Sequence, residues 1–187
     1  MASPTQFLIF PLISLVILAA ILASPSAACG EAACCHRSCE QELRFPPYFF
    51  CQRGGGTNPN QNIIVPSSYP FGFGTIFAND YEILDAPQQG AKVIARARGM
   101  LIQVDQAAGN DWQCYFSIVF QDDSFGGSTL KVIGDNKIGA TGEWSIIGGT
   151  GKLSMARGSI KYNIVKINEV ENYRQLDIYV IYTPLAV

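Results

Sequence analysis

From residue 73 onward, apolar-rich stretches alternate with short polar breaks. The stretches are FGTIFANDYEIL (73–84), AKVIARARGMLIQV (91–104), WQCYFSIVFQ (112–121), GSTLKVIG (127–134), EWSII (143–147), KLSMARGSIKYNIVKI (152–167) and YRQLDIYVIY (173–182). They are rich in β-branched and aromatic residues, and several alternate with a period of two, the pattern of a strand with one buried face. The breaks, DAPQQG, AAGND, DDSFGG, DNKIGATG, GGTG and NEVEN, carry turn-forming residues. No stretch has a convincing apolar stripe at helical spacing, and no internal repeat is visible. Many short strands at close spacing predict an all-β barrel or sandwich.

Upstream the texture differs. Residues 7–23, FLIFPLISLVILAAILA, are almost continuously apolar and are followed by SPSAA, with small residues placed for cleavage before Cys29. This reads as a secretory signal peptide over residues 1–28. A membrane anchor is the rival, since the run approaches the ~20 residues of a span. Pro11 and the cysteines beyond the run favour cleavage and export to the extracellular space. No later segment is long and apolar enough to span a bilayer, so no membrane association is expected after cleavage. The remaining chain of about 159 residues suits one domain with a real core.

Five of the six cysteines fall between Cys29 and Cys51, and the sixth is Cys114. In an exported chain such a cluster points to disulfides. Two bridges within the arm plus one from the arm to Cys114 would use all six and staple the arm to the domain. The metal alternative, Cys34, Cys35, His36 and Cys39, lacks the paired C-x-x-C knuckles of structural zinc sites. The division expected is therefore a signal peptide (1–28), a cysteine-rich arm with a Gly- and Asn-rich linker (29–62) and a β domain (63–187).

Charge and composition narrow the chemistry. The formal net charge is -2, and the basic residues are scattered, so there is no nucleic-acid footprint. The single histidine, His36, lies in the arm, which leaves the β domain without a Ser-His-Asp or Cys-His arrangement and without a His-based metal site. No redox carrier or cofactor motif is visible. GGTGKLSMARGSIKY (148–162) resembles a phosphate loop only superficially. Leu153 stands where a P-loop needs Ser or Thr, and Ile146 where it needs its first glycine. These glycines suit a tight turn into a strand. Charges inside strands, Asp80, Arg96, Arg98, Arg157, Lys161 and Asp177, are then the groups of interest. Alternation puts Met155, Arg157, Ser159 and Lys161 on one face and Ala156, Gly158, Ile160 and Tyr162 on the other. A strand charge ordinarily faces outward. Arg157, among small neighbours, could instead lie inside a barrel against Asp80.

Four blocks, FGTIFAND (73–80), ARARG (95–99), GGSTLKVIGDN (126–136) and IIGGTGKLSMARG (146–158), occur in an order and spacing that resembles the plant dirigent protein family. The resemblance covers residues 73–182, and the GGTG…MARG block is its most specific part. It implies a closed eight-stranded antiparallel barrel, of allene oxide cyclase-like type, usually trimeric, with a pocket at one mouth. An eight-stranded barrel has the width to hold one small ligand. The function it implies is stereoselective coupling of monolignol phenoxy radicals in lignan or related phenylpropanoid biosynthesis. An external oxidase, laccase or peroxidase, makes the radicals. Alternatives are a cyclase or lyase acting on a quinone methide, and a non-catalytic barrel that binds a phenolic or a sugar. A plastid allene oxide cyclase is disfavoured by the leader and the cysteines.

Carried over onto this chain, Asp80 matches the first-strand aspartate as acid/base, and Arg157 matches the arginine of M-A-R-G as its partner. Phe116 falls where some relatives carry a pocket aromatic. Three departures stand out. Lys152 follows GGTG where pinoresinol-forming lineages commonly have Asp, Arg98 replaces a glutamine, and the cysteine arm is outside the common pattern.

Overall fold

The structure, a computed structural model, describes residues 40–108, 111–137 and 141–184. The stretch read as a signal peptide and the cysteines from Cys29 to Cys39, with His36, lie outside the described residues. The described residues form ten strands: β1 (Gln41–Arg44), β2 (Tyr48–Arg53), β3 (Gln61–Val65), β4 (Ile76–Leu84), β5 (Val93–Gln103), β6 (Asp111–Phe120), β7 (Thr129–Lys137), β8 (Gly142–Thr150), β9 (Arg157–Ile167) and β10 (Glu171–Tyr182).

All pairings are antiparallel. The order β2-β4-β5-β6-β7-β8-β9-β10 closes on itself, because β10 pairs with β9 along one edge and with β2 along the other. The result is a closed eight-stranded barrel. Its first stave is assembled from three strands. β1 runs against the end of β10, with Gln41 opposite Tyr182. Then β2 lies between β10 and β4, and β3 continues along β4, with Gln61 opposite Asn79. Pro46 and Pro47 separate β1 from β2, since a proline cannot donate to a ladder. Residues 54–60 bulge out between β2 and β3. The Arg53 N–H donates to Asn60 Oδ1 at 2.8 Å, the Asn60 N–H to the Arg53 carbonyl at 3.1 Å, and Asn60 Nδ2 to the Cys51 carbonyl at 2.9 Å.

This corrects the division expected from sequence. The barrel begins at Gln41 rather than residue 63, and the Gly- and Asn-rich segment is a loop pinned within one stave rather than a linker between parts. Strand texture at 41–53 is hidden because two prolines and a cysteine interrupt it.

Alternation decides what fills the barrel. On β6, Cys114, Phe116, Ile118 and Phe120 are buried, while Gln113, Tyr115, Ser117 and Val119 are not. On β10, Arg174, Leu176, Ile178 and Val180 point inward in the same phase. The centre is packed with rings. Phe50 lies 4.8 Å from Tyr81 and 5.4 Å from Trp144, and Trp144 lies 4.4 Å from Tyr162, all centroid to centroid. One end is closed by Phe45, stacked on Phe120 at 5.2 Å and tilted against Phe125 at 5.2 Å. Ring pairs at these separations add to the area each ring buries.

The glycine block lies at this closed end. Gly151 has φ +65, the left-handed region, and a Cβ there would meet Ser128 Oγ at 2.8 Å. Gly158 lets β9 approach β10 so closely that a Cβ would sit 2.1 Å from the Tyr179 carbonyl oxygen. The turn-into-strand reading of GGTG…MARG therefore holds.

Two substitutions test this packing by chemical denaturation. Trp144→Ala, which empties the fully buried centre, is expected to lower stability by about 3–5 kcal/mol. Gly158→Ala is expected to destabilise through the β9–β10 seam. Unchanged midpoints would contradict the packing described.

Candidate functional site

The inner face changes character toward the end opposite Phe45. There β3, the start of β4, the ends of β2, β5, β7 and β9, and the starts of β6 and β10 surround a cavity of about 280 Å³. Phe77 and Trp112 form an aromatic wall, edge to face at 5.4 Å. Leu101, Ile164 and Ile167 add apolar surface. A bulge helps to place the two isoleucines. Opposite the Tyr173–Arg174 step, β9 passes from Lys166 to Ile164 with Val165 as the extra residue, so Ile164 and Ile167 both reach the cavity.

The remainder of the lining is polar. Tyr81 donates its hydroxyl to Gln61 Oε1 at 2.6 Å, and Gln52 Nε2 donates to the same oxygen at 2.9 Å. Arg174 Nη1 donates to Gln52 Oε1 at 3.0 Å. The Arg174 guanidinium lies 5.8 Å from the Phe50 ring and 5.6 Å from the Tyr162 ring. Asn136 Oδ1, Asn172 Oδ1 and Arg174 Nε are buried without a hydrogen-bond partner. Burial holds the Arg174 guanidinium below the usual arginine range, against the opposing pull of the Tyr162, Tyr81 and Cys114 side chains. The cavity thus presents flat aromatic surface beside the polar side chains of Gln52, Gln61, Asn136, Asn172 and Arg174, which suits a small aromatic ligand carrying oxygen.

The sequence-predicted residues are not brought together. Asp80 is on the outer face of β4, in phase with Glu82, while Asn79 takes the inner position and donates from Nδ2 to the Ala97 carbonyl at 3.1 Å. Asp80 accepts from Arg96 Nε at 2.7 Å and Arg98 Nε at 3.2 Å. Partial burial raises its pKa, but the two guanidiniums outweigh that and hold it below the ordinary carboxylate value. Glu82 extends the chain of charges, 2.8 Å from Arg53 and 3.7 Å from Arg96. Arg157 is exposed at the closed end and forms a fork with Glu40, donating Nη2 to Oε2 at 2.7 Å and Nη1 to Oε1. β2 and β10 separate β4 from β9, so Asp80 and Arg157 cannot form one site from these positions. The expectation that they meet inside the barrel is corrected. Each has an outward partner, and facing inward would desolvate a charge without that partner.

Phe116 does face inward but belongs to the packed centre, 5.9 Å from Phe50 and 5.3 Å edge to face from Trp144, rather than to the cavity wall. Lys152 sits at the closed end, donating Nζ to the Ser124 carbonyl at 2.7 Å. Cys114 points into the barrel, its thiol 3.1 Å from the Gly134 carbonyl, and Cys51 packs with Leu84 and Tyr173 outside the central core. Both are free and buried. The expected staple through Cys114 is corrected, because its thiol faces the interior of a closed wall. Among the described residues no group of three His, Cys, Asp or Glu side chains is placed to hold a metal ion.

The structure is thus a sealed β-barrel, packed at one end and open to an aromatic and polar cavity at the other. The comparisons give it a family. The profile for Dirigent-like protein matches residues 44–181. Over 88 residues the chain is 34% identical to pterocarpan synthase 1 of Glycine max, covering 46% of this chain and 47% of that protein. It is 28% identical to dirigent protein 11 of Arabidopsis thaliana over 92% of this chain and 94% of that one. The solved structure of the pterocarpan synthase dirigent protein GePTS1 superposes with a TM-score of 0.70 at 26% identity, covering 76% of this chain and 89% of that one. This chain belongs to the dirigent-like protein family.

Two outcomes check these placements. Asp80→Ala removes two partly exposed surface ion pairs, so a stability change of at most about 1 kcal/mol per pair is expected in chemical denaturation. A loss of several kcal/mol would contradict its outward, solvent-facing placement. Burial pushes the Cys114 thiol up to about 12 from an ordinary 9.0. The folded state therefore holds this proton more tightly than the unfolded chain does. The associated stability, up to about 4 kcal/mol, is present below pH 9 and is lost as pH rises through 12. In the native protein at pH 8, iodoacetamide is expected to leave Cys114 unmodified, and Cys114→Val is expected to lessen the decline in stability above pH 9.

Proposed function

We propose that this protein is an exported dirigent-type protein that binds a phenolic in the barrel mouth and steers closure of a quinone methide to one stereoisomer. The observation that carries this is the cavity itself. It has an aromatic wall of Phe77 and Trp112 beside the Gln52–Gln61–Tyr81 network. The chain's similarity to pterocarpan synthases supports the cyclase branch. At about 280 Å³ the cavity is near the lower end of ligand pockets, a size for one aromatic molecule rather than two side by side.

The reaction balances without an oxidant. A hydroxyl oxygen of the substrate attacks the exocyclic methide carbon and a C–O bond forms. The electron pair of the breaking C=C bond moves through the ring onto the quinone oxygen, which becomes a phenol oxygen. The hydroxyl proton leaves to water at the open mouth, and the phenol oxygen takes one up. The protein's part is orientation, holding the ring so that one face meets the nucleophile. A difference of about 1.4 kcal/mol between the two approaches gives a tenfold preference.

A second reading is guidance of two monolignol radicals made by an external laccase or peroxidase. It is favoured by the exposed Ile167 at the rim, where a second aromatic can rest. Assembly as a homotrimer is part of the proposal, and the exposed Ile63, Ile64 and Val65 of β3 offer apolar surface for it.

The test has two arms read by chiral chromatography. One uses a quinone-methide precursor without oxidant, and the other uses monolignols with laccase. Enantiomeric excess in the first arm is expected. A racemic product there overturns the closure reading, and excess confined to the laccase arm establishes radical guidance in its place. Light scattering on the same preparation is expected to give the mass of three chains, and a one-chain mass would remove the trimer.

A further inference from the structure

Arg174 is the unusual residue of this barrel. It sits on the inner face of β10 with only 4% of its surface exposed. Among the described residues, no carboxylate forms an ion pair with it. The titratable groups that act on it are Tyr162 on β9, Tyr81 on β4 and Cys114 on β6, all neutral at ordinary pH. Its contacts are one amide oxygen and the faces of two rings, and Nε has no partner at all. A cation taken out of water with so little compensation is disfavoured by several kcal/mol. The outer wall shows the ordinary solution a few residues away, where Arg53 and Arg96 share Glu82 and Arg96 and Arg98 share Asp80.

What would neutralise Arg174 must come from the cavity it lines. A neutral phenol does not supply a negative charge, since its ordinary pKa is about 10, whereas a carboxylic acid with a pKa near 4 is already ionised at neutral pH. The guanidinium fork also matches two carboxylate oxygens. The remainder of the cavity suits the rest of such a molecule. Phe77 and Trp112 can flank a ring, and Asn136 Oδ1, buried and unpaired, can accept a hydroxyl hydrogen.

We propose that Arg174 makes this cavity a receptor for a hydroxylated aromatic carboxylate, so that the phenolic substrate of the protein carries an acid group. The choice of ring rests on reading the cavity as the phenolic site, while the charge argument does not. Recognition works through an unmatched charge. With the acid bound, the fork is filled. With the corresponding alcohol bound, the guanidinium stays buried and unpaired, which is the situation that gives polar sites their largest discrimination.

Calorimetric titration at pH 7 compares 4-hydroxycinnamate with 4-hydroxycinnamyl alcohol, which differ only at the group in question. The acid is expected to bind at least tenfold more tightly. Arg174→Met and Arg174→Gln are expected to lose that preference, and Arg174→Lys to keep part of it. Because Arg174→Met removes a buried unpaired charge, its melting temperature is expected to equal or exceed that of the native protein. Equal affinities for acid and alcohol, or a preference that survives Arg174→Met, overturn the proposal. If the Met and Gln variants fail to fold, the native acid-to-alcohol ratio and the Lys variant still decide it. The titration needs no turnover, so a racemic result in the closure assay leaves carboxylate recognition standing. Selective closure combined with equal affinities removes carboxylate recognition alone.

Discussion

The structure depends on one strand being paired along both edges. β10 takes β9 on one side and the interrupted first stave on the other, and this double pairing turns a twisted sheet into a wall without a free edge. Inside and outside then become distinct solvents for the side chains. A one-residue difference in strand phase decides between them, and that decision governs every charged residue discussed above. The ring-packed centre and the closed end fix the wall, and the cavity exists because the packing stops short of the opposite mouth.

Much of the fold was legible. Period-two alternation with turn residues between strands predicted an all-β architecture, and the four motif blocks narrowed it to the barrel that the structure shows. The division of β9 into two faces also matches, but the inward face is that of Ile160 and Tyr162, not the face of Arg157 and Lys161 where an inward arginine was expected. The site was less legible, and the reasons are local. Asp80 stands out as a charge in a strand, yet FANDYEI places Phe77, Asn79, Tyr81 and Ile83 in one phase and Asp80 with Glu82 in the other. The same test applied to YRQLDIYV puts Arg174 in phase with Leu176, Ile178 and Val180. The signal for the buried guanidinium was therefore present in the alternation itself. What no sequence pattern could reveal is which residues close one mouth and which leave the other open. That depends on register between strands far apart in the chain, such as Gln41 against Tyr182 and Arg174 against Phe50.

The two halves of the interior pull stability in opposite directions. Around Trp144 and Phe120, burial and ring contacts favour the folded state at every position. Around Arg174, Asn136 and Asn172, polar atoms are withdrawn from water without full compensation. A protein selected for stability alone would fill this mouth as it fills the other, so the strain is concentrated where a small molecule can enter.

The split first stave also bears on how such a chain is made. β1 and β2 are among the earliest barrel residues to leave the ribosome, but their hydrogen-bonding partner β10 follows every other strand of the barrel. The ring cannot be completed until β10 has emerged, however well the intervening hairpins have formed. Until then the nascent chain remains an open, unsealed ribbon. That is a form a chaperone can grip, and the finished barrel offers no such handle.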